Sequence, residues 1–477
     1  MQFNSIAFGL FFPVVFLIYW AMQKSPLRYQ NLFLTAASYF FYAYWDYRFL
    51  VLLLINSAVS YATGILIQRT GAEKRKKIFL VMSITVHLGI LAFFKYYNFF
   101  VESFNQLLQN VGLQGHITTL QLILPLGISF YTFKIITYTV DIYRGDMKAV
   151  NDPIAFFAFV SFFPTMVAGP IDRARYLLPQ FLRKREYSDP DARDGLRQVL
   201  NGLLKKMLIA DNLAMITDDI FQYYTHYGGM TLFIGAVFFA IQIYCDFSGY
   251  SDIAIGTARL LGFKVMKNFN YPYFSRDIAE FWRRWHISLS TWFRDYVYVP
   301  LCGRRPGRWE KARHIIITFA LCGLWHGADW TFIAWGTLIG IYYLPLTLRR
   351  SGRYIGTPAK GRLLPSLREA GAMVGIFIIL LPAWVFFRSS NMAHAAGYFS
   401  RMFSNPFSMR IGFGPFLPMI TACFILFTLE WIQRERDFML QIGHLPVAVR
   451  WLAYYLCLAM LLMFGTYQSS NFIYAQF

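Results

Sequence analysis

The amino-acid sequence predicts an all-α, multi-pass integral membrane bundle of about eleven to twelve transmembrane helices, with re-entrant and interfacial helices among them. Composition is the first reason. Of 477 residues, 57% are hydrophobic, 19% aromatic and only 15% charged, whereas soluble domains average about 45–50% apolar and about 25% charged residues. The second reason is run length, because the apolar residues gather into about a dozen segments that cross, or nearly cross, roughly 30 Å of hydrocarbon. The third is charge placement, since the basic residues cluster in a few loops.

The candidate spans cover residues 6–22, 31–45, 49–67, 79–97, 120–141, 196–220, 231–246, 314–328, 331–347, 371–387, 413–430 and 451–467. The first, Ile6 to Met22, has no basic residue before it and no small-residue cleavage site after it, so it reads as a retained helix rather than a signal peptide. The loop holding Arg69, Lys74, Arg75, Lys76 and Lys77 is strongly basic, which puts it in the cytoplasm and both chain ends outside. The Pro- and Phe-rich run from Pro153 to Gly169 has basic segments on both sides. Both of its ends then face the cytoplasm, and it is expected to form a re-entrant hairpin, which a membrane tolerates only where protein or a water-filled cavity covers the backbone. One membrane-embedded domain is expected over 1–477, with N-terminal helices in 1–118, a motif-bearing core in 119–347 and C-terminal helices in 348–477.

A net charge of +20, from 45 Lys+Arg against 25 Asp+Glu, is the pattern of cytoplasmic loops facing anionic lipid; membrane lipid, not nucleic acid, is the expected partner. The cysteines Cys245, Cys302, Cys322, Cys423 and Cys457 are an odd number without CxxC spacing, which argues against a disulfide framework and against a metal site. They read as small apolar residues.

Four stretches depart from ordinary lipid-facing helix. In Leu124-Pro125-Leu126-Gly127-Ile128-Ser129-Phe130 a proline and a glycine interrupt a span, making either a kink or a broken helix that lines a site, with Ser129 beside it. Asp246-Phe247-Ser248-Gly249-Tyr250-Ser251-Asp252 sets two carboxylates six residues apart around a Ser-Gly step at the end of a span. These acids can orient a histidine or a polar substrate, or simply cap helix ends and neutralise arginines. Around the stretch from Glu280 to Arg294 a helical projection puts Phe281, Trp282, Trp285, Leu289, Trp292 and Tyr296 on one side and Arg276, Arg283 and Arg294 on the other, as expected of a helix lying along the membrane surface. With Arg284, Arg304, Arg305, Arg308, Lys311 and Arg313 it makes a concentrated basic mouth, suited to lipid head groups or to a phosphorylated cytoplasmic donor whose oxygens the arginine forks would grip.

The fourth stretch is Cys322-Gly323-Leu324-Trp325-His326-Gly327-Ala328, an imidazole inside a run apolar enough to cross a bilayer. His326 follows Arg313 by thirteen residues, roughly 20 Å of helix, and so lies deep. It is either a satisfied core histidine or a functional one. A basic mouth leading to a buried histidine suits one chemistry: a neutral imidazole takes a proton from a hydroxyl whose oxygen then attacks an activated acyl carbon. The sequence has no GxSxG elbow, Walker loop or HExxH pair.

Together with Phe163-Pro164-Thr165-Met166-Val167-Ala168-Gly169-Pro170-Ile171 and Phe281-Trp282-Arg283-Arg284-Trp285-His286-Ile287-Ser288-Leu289-Ser290, these motifs resemble the membrane-bound O-acyltransferase (MBOAT) family, in the branch that acetylates bacterial polysaccharides. The likeness runs from the first helix to Phe477, with Cys302 in place of a usual glycine and Glu280 in place of a usual aspartate. The resemblance implies a helical bundle around a central tunnel in the bacterial cytoplasmic (inner) membrane. It further implies catalytic histidines at His326 and His286 and no metal. Asp246, Ser248, Tyr250, Asp252, Trp285, Trp325 and Ser129 are expected along the tunnel, and Arg283, Arg284, Arg294, Arg304 and Arg305 at the acyl donor. No tightly bound cofactor is expected; acetyl-CoA serves as co-substrate, a polysaccharide such as alginate as acceptor, and an extracytoplasmic acetyltransferase as partner. Two other readings stand beside this one: D-alanyl transfer to teichoic acid within the same family, and a transporter of polymer or lipid-linked precursor.

Overall fold

The computed structural model describes residues 1–113, 117–303, 306–348, 354–409, 412 and 414–467, whose regular secondary structure is helical, without strands. Among the described residues eight helices are long and apolar enough to cross a membrane: Ile6–Lys24, Arg48–Arg69, Glu73–Asn110, Gly229–Leu260, Trp330–Leu348, Leu367–Arg388, Gly414–Ile432 and Val447–Phe464. Each coincides with an expected span. The remaining four expected spans are helical over most of their length but are shorter, more polar or interrupted.

The helices are α1 (Ile6–Ala21), α2 (Leu27–Asp46), α3 (Arg48–Arg69), α4 (Glu73–Asn110), α5 (Ile128–Arg144), α6 (Pro153–Ser161), α7 (Phe163–Met166), α8 (Ala174–Phe181), α9 (Asp189–Leu203), α10 (Asp211–Gln222), α11 (Gly229–Leu260), α12 (Ile278–Arg284), α13 (Ile287–Phe293), α14 (Val299–Cys302), α15 (Arg308–His326), α16 (Trp330–Tyr342), α17 (Leu344–Leu348), α18 (Leu367–Arg388), α19 (Met392–Ser404), α20 (Leu417–Ile432) and α21 (Val447–Phe464). They pack as two compact units, one of Met1–Gly195 with Ala254–Met266, the other of Leu196–Ile253 with Lys267–Phe477.

In the first unit, α2, α3, α5 and α6 pack on one another and α4 lies on α3 and α5. The Pro125–Gly127 break does not kink a long helix; it is where α5 begins, and residues 117–125 ahead of it are not helical. The Pro153–Gly169 run forms α6 and α7, of nine and four residues. Such helices rise only about 14 Å and about 6 Å, too little to cross, and their backbone is covered by protein because Phe156, Phe159, Phe162 and Phe163 are all fully buried. Arg185 ties the unit together, donating from Nε to Tyr19 Oη at 2.6 Å and from Nη2 to Asn31 Oδ1 at 2.9 Å while its guanidinium lies over the Phe263 ring.

In the second unit the closest pair is the α15–α16 hairpin. A Cβ on Gly323 would lie 2.0 Å from the Phe332 carbonyl oxygen, and one on Gly336 would lie 2.1 Å from that of Phe319. Only glycine lets the two backbones meet there, and the contact fixes where the last turn of α15 points. Asp329 caps α16 through the Thr331 N–H at 2.8 Å, and Ser366 with Glu369 forms a capping box at the start of α18. α16 then packs on α18.

Candidate active site

His326 is the last residue of α15. Gly327 is extended and cannot continue the helix, so the imidazole stands at the negative end of the helix dipole, the end that favours a cation. It is buried, at 3% exposure. Its ring lies edge-on to Trp335 at 5.0 Å and to Phe387 at 5.4 Å between centroids. Trp325 packs against it at 5.0 Å.

The expected continuous surface helix from Glu280 to Arg294 is instead broken at Trp285–His286 into α12 and α13. Its aromatic face meets protein, not lipid: Phe281, Trp285 and Leu289 are at most 1% exposed. The break is His286, with φ 40° and ψ 55°, left-handed backbone in a residue other than glycine. Few side chains enter this region, histidine more readily than most, and those that do gather where function fixes the backbone. The break turns the imidazole inward, to 1% exposure, edge-on to Phe247 of α11 at 4.5 Å.

The two histidines, forty residues apart in sequence, thus lie with ring centroids 6.3 Å apart. That is too far for one ring to bond the other directly, since a ring nitrogen stands only about 1.2 Å from its centroid and a hydrogen bond adds about 2.8 Å. One oxygen bonded to both rings would lie about 4 Å from each centroid, closing a triangle with an angle of roughly 100° at the oxygen. The gap between the two imidazoles is thus one that a single oxygen can bridge.

Trp285 backs the site, against Trp384 at 4.9 Å and Phe269 at 5.1 Å. Asp246, Ser248, Tyr250 and Asp252 are all on α11, which runs unbroken from Gly229 to Leu260. The Ser-Gly step is accordingly not a flexible end. Gly249 is where α11 touches α9, and a Cβ there would stand 2.7 Å from the Gly202 carbonyl oxygen.

Both carboxylates lie within α11 and pair with lysines. Asp246 pairs with Lys206 Nζ at 2.6 Å, and the same ammonium reaches Asp211 at 2.8 Å. Asp252 accepts from Asn201 Nδ2 at 2.7 Å and Gln198 Nε2 at 3.1 Å and lies 3.6 Å from Lys205 Nζ. Lys205 also pairs with Glu430 of α20 at 2.8 Å, a carboxylate that accepts in turn from the Tyr244 hydroxyl at 2.7 Å. Both lysines sit in a π-helical turn, Leu204–Ala210, between α9 and α10. Such turns recur at functional sites, and this one aims two consecutive lysines inward. Sequence reasoning passed over Lys205, Lys206 and Glu430, although the signal was available: each is an ionisable residue inside an apolar run.

The expected donor arginines separate. Arg284 is buried and committed to Glu280 and to the Asn270 and Gly356 carbonyls. Arg283 and Arg294 are exposed, on either side of His286 in the chain, the first donating to the Tyr354 carbonyl and the second to Asp295. Arg304 and Arg305 lie outside the described residues. Ser129 is buried on α5 and belongs to the first unit, whereas both histidines belong to the second.

Spanning helices enclosing buried, paired imidazoles are joined by similarity to known proteins in placing the chain among membrane acyltransferases. The chain belongs to the membrane-bound O-acyltransferase family: the family model matches residues 148–350, a stretch that contains both histidines, both aspartates and the broken aromatic helix. It is 41% identical over 406 residues to "Probable alginate O-acetylase AlgI" of Azotobacter vinelandii, covering 85% of this chain and 78% of that protein. A peptidoglycan O-acetyltransferase of Helicobacter pylori is 36% identical over 414 residues, covering 81% of this chain and 76% of the relative. A teichoic acid D-alanyltransferase of Bacillus subtilis is 33% identical over 241 residues, only 47% of this chain and 59% of the relative.

Proposed function

We propose that this protein is a bacterial inner-membrane O-acetyltransferase. It takes acetyl from acetyl-CoA on the cytoplasmic side and passes it across the membrane for O-acetylation of an extracytoplasmic polysaccharide such as alginate. The observation that carries this reading is the His286–His326 pair, 6.3 Å apart and enclosed by aromatic rings. The relatives named for alginate and peptidoglycan acetylation support the acyl group and the polymer class.

In the proposed reaction His326 takes the proton of an acceptor hydroxyl as its oxygen attacks the thioester carbonyl. A C–O bond forms, the C–S bond breaks, and the proton returns to the departing sulfur, leaving an ester and free CoA thiol. His286 orients the thioester and stabilises the oxyanion as charge develops. Asp246 and Asp252, anchored by Lys206 and Lys205, hold the α11 wall, and Arg283 and Arg294 attract the phosphates of CoA. An extracytoplasmic partner acetyltransferase carries the group on to the polymer. The test is His326→Ala expressed at the wild-type level in cells, with acetate released from the surface polysaccharide as the readout. The reading expects near-complete loss; acetate close to the wild-type amount refutes it.

A further inference from the structure

We infer that Asn268 is a positioning residue for His286, holding the left-handed turn that aims the imidazole at His326. The inference rests on the catalytic reading of His286. Asn268 lies in the loop between α11 and α12 and is fully buried. Its backbone carbonyl accepts from the Ile287 N–H at 2.9 Å, immediately after His286. Its side chain works in two directions: Oδ1 accepts from the Ser288 hydroxyl at 2.6 Å, and Nδ2 donates to Ser251 Oγ of α11 at 2.9 Å. Two residues on, the Asn270 N–H donates to the Arg284 carbonyl at 2.9 Å and the Asn270 carbonyl accepts from Arg284 Nη1 at 3.1 Å. The 268–270 segment therefore grips the chain on both sides of Trp285–His286, and the Asn268 amide ties that grip to the helix whose Phe247 ring packs on the imidazole.

The amide is suited to this task because it needs a donor at one end and an acceptor at the other. Ser251 and Ser288 lie on separate elements, and the Asn268 amide bonds to both hydroxyls. A hydrophobic residue of the same size would fill the space and release both ties. His286 would then keep its burial and lose its aim, and a misplacement of about 1 Å at a catalytic group can cost on the order of 100-fold in rate.

Purified full-length protein in detergent, supplied with acetyl-CoA, the partner acetyltransferase and an acceptor polymer, tests this. Asn268→Leu is expected to lower kcat about 10- to 100-fold while the KM for acetyl-CoA stays within about threefold. Asn268→Asp can accept from both serine hydroxyls and is expected to restore kcat to within about fivefold of wild type. In a His286→Ala background, Asn268→Leu is expected to add less than about threefold, because a residue acting through His286 has nothing left to act on. A folded Asn268→Leu protein with wild-type kcat, or one whose loss multiplies in the His286→Ala background, overturns the inference. If Asn268→Leu fails to fold, Ser288→Ala severs one tie with a smaller change: reduced kcat at unchanged KM supports the inference and wild-type kcat refutes it. Full activity in both His286→Ala and His326→Ala would instead sink the catalytic reading itself, whatever Asn268 does.

Discussion

Replacing His286 separates what its backbone does from what its ring does. His286→Gly and His286→Ala both remove a buried imidazole, and both lose about 2–4 kcal/mol to the cavity among Phe247, Trp325 and His326. They differ in the backbone. At φ 40° and ψ 55° an alanine Cβ crowds the following carbonyl at a cost of about 1–2 kcal/mol. Glycine enters this region freely but loses about 0.5–1 kcal/mol more in chain entropy on folding. Glycine is therefore expected to be the more stable by about 0.5–1 kcal/mol, the reverse of the order in a helix interior. Thermal unfolding of the detergent-purified proteins, followed by tryptophan fluorescence, measures this. Both variants should also lose about 10²- to 10³-fold in turnover, as expected when an oxyanion donor is removed. An alanine variant that melts at or above the glycine variant refutes the strained-turn argument.

Three further outcomes follow from the same geometry. Lys205→Met leaves the buried Glu430 without its cation and should cost about 3–5 kcal/mol, with at least half recovered by adding Glu430→Gln; thermal unfolding of the single and double variants checks both. Gly323→Ala brings a methyl to 2.0 Å from the Phe332 carbonyl oxygen. It should destabilise by about 1–3 kcal/mol and, by moving the turn that carries His326, reduce turnover more than tenfold, as read in parallel melting and activity assays. Arg283→Gln with Arg294→Gln should raise the KM for acetyl-CoA about three- to tenfold with kcat within twofold, and the difference should shrink as salt is added, because both groups are exposed. Equal KM values at low salt would remove these arginines from the donor site.

The fold class was legible because apolar runs of spanning length are visible without any structure, and eight of the expected spans coincide with helices long and apolar enough to cross a membrane. His326 was legible for a related reason: a titratable ring in such a run is costly unless something uses it or satisfies it. What sequence period could not convey was where helices stop. The residues from Glu280 to Arg294 keep a helical pattern straight through Trp285–His286, yet tertiary hydrogen bonds from Asn268 and Asn270 break the helix there. The same limit hid the partners of Asp246 and Asp252. Their charges invited arginines or helix ends, while the ions that meet them come from a π-turn whose extra residue no pattern announces. Asn268 carries no charge and matches no motif, so only the folded chain shows it between Ser251 and Ser288.

The central claim is that His326, nearly buried at the end of α15, removes a proton in acyl transfer from a donor that arrives on the cytoplasmic side. Inverted membrane vesicles carrying the protein, supplied outside with acetyl-labelled CoA, test it most directly through the label transferred to acceptor within. The account predicts that His326→Ala lowers this transfer by about 10²- to 10⁴-fold while the protein remains folded and present at the wild-type amount. Transfer within threefold of wild type would contradict it.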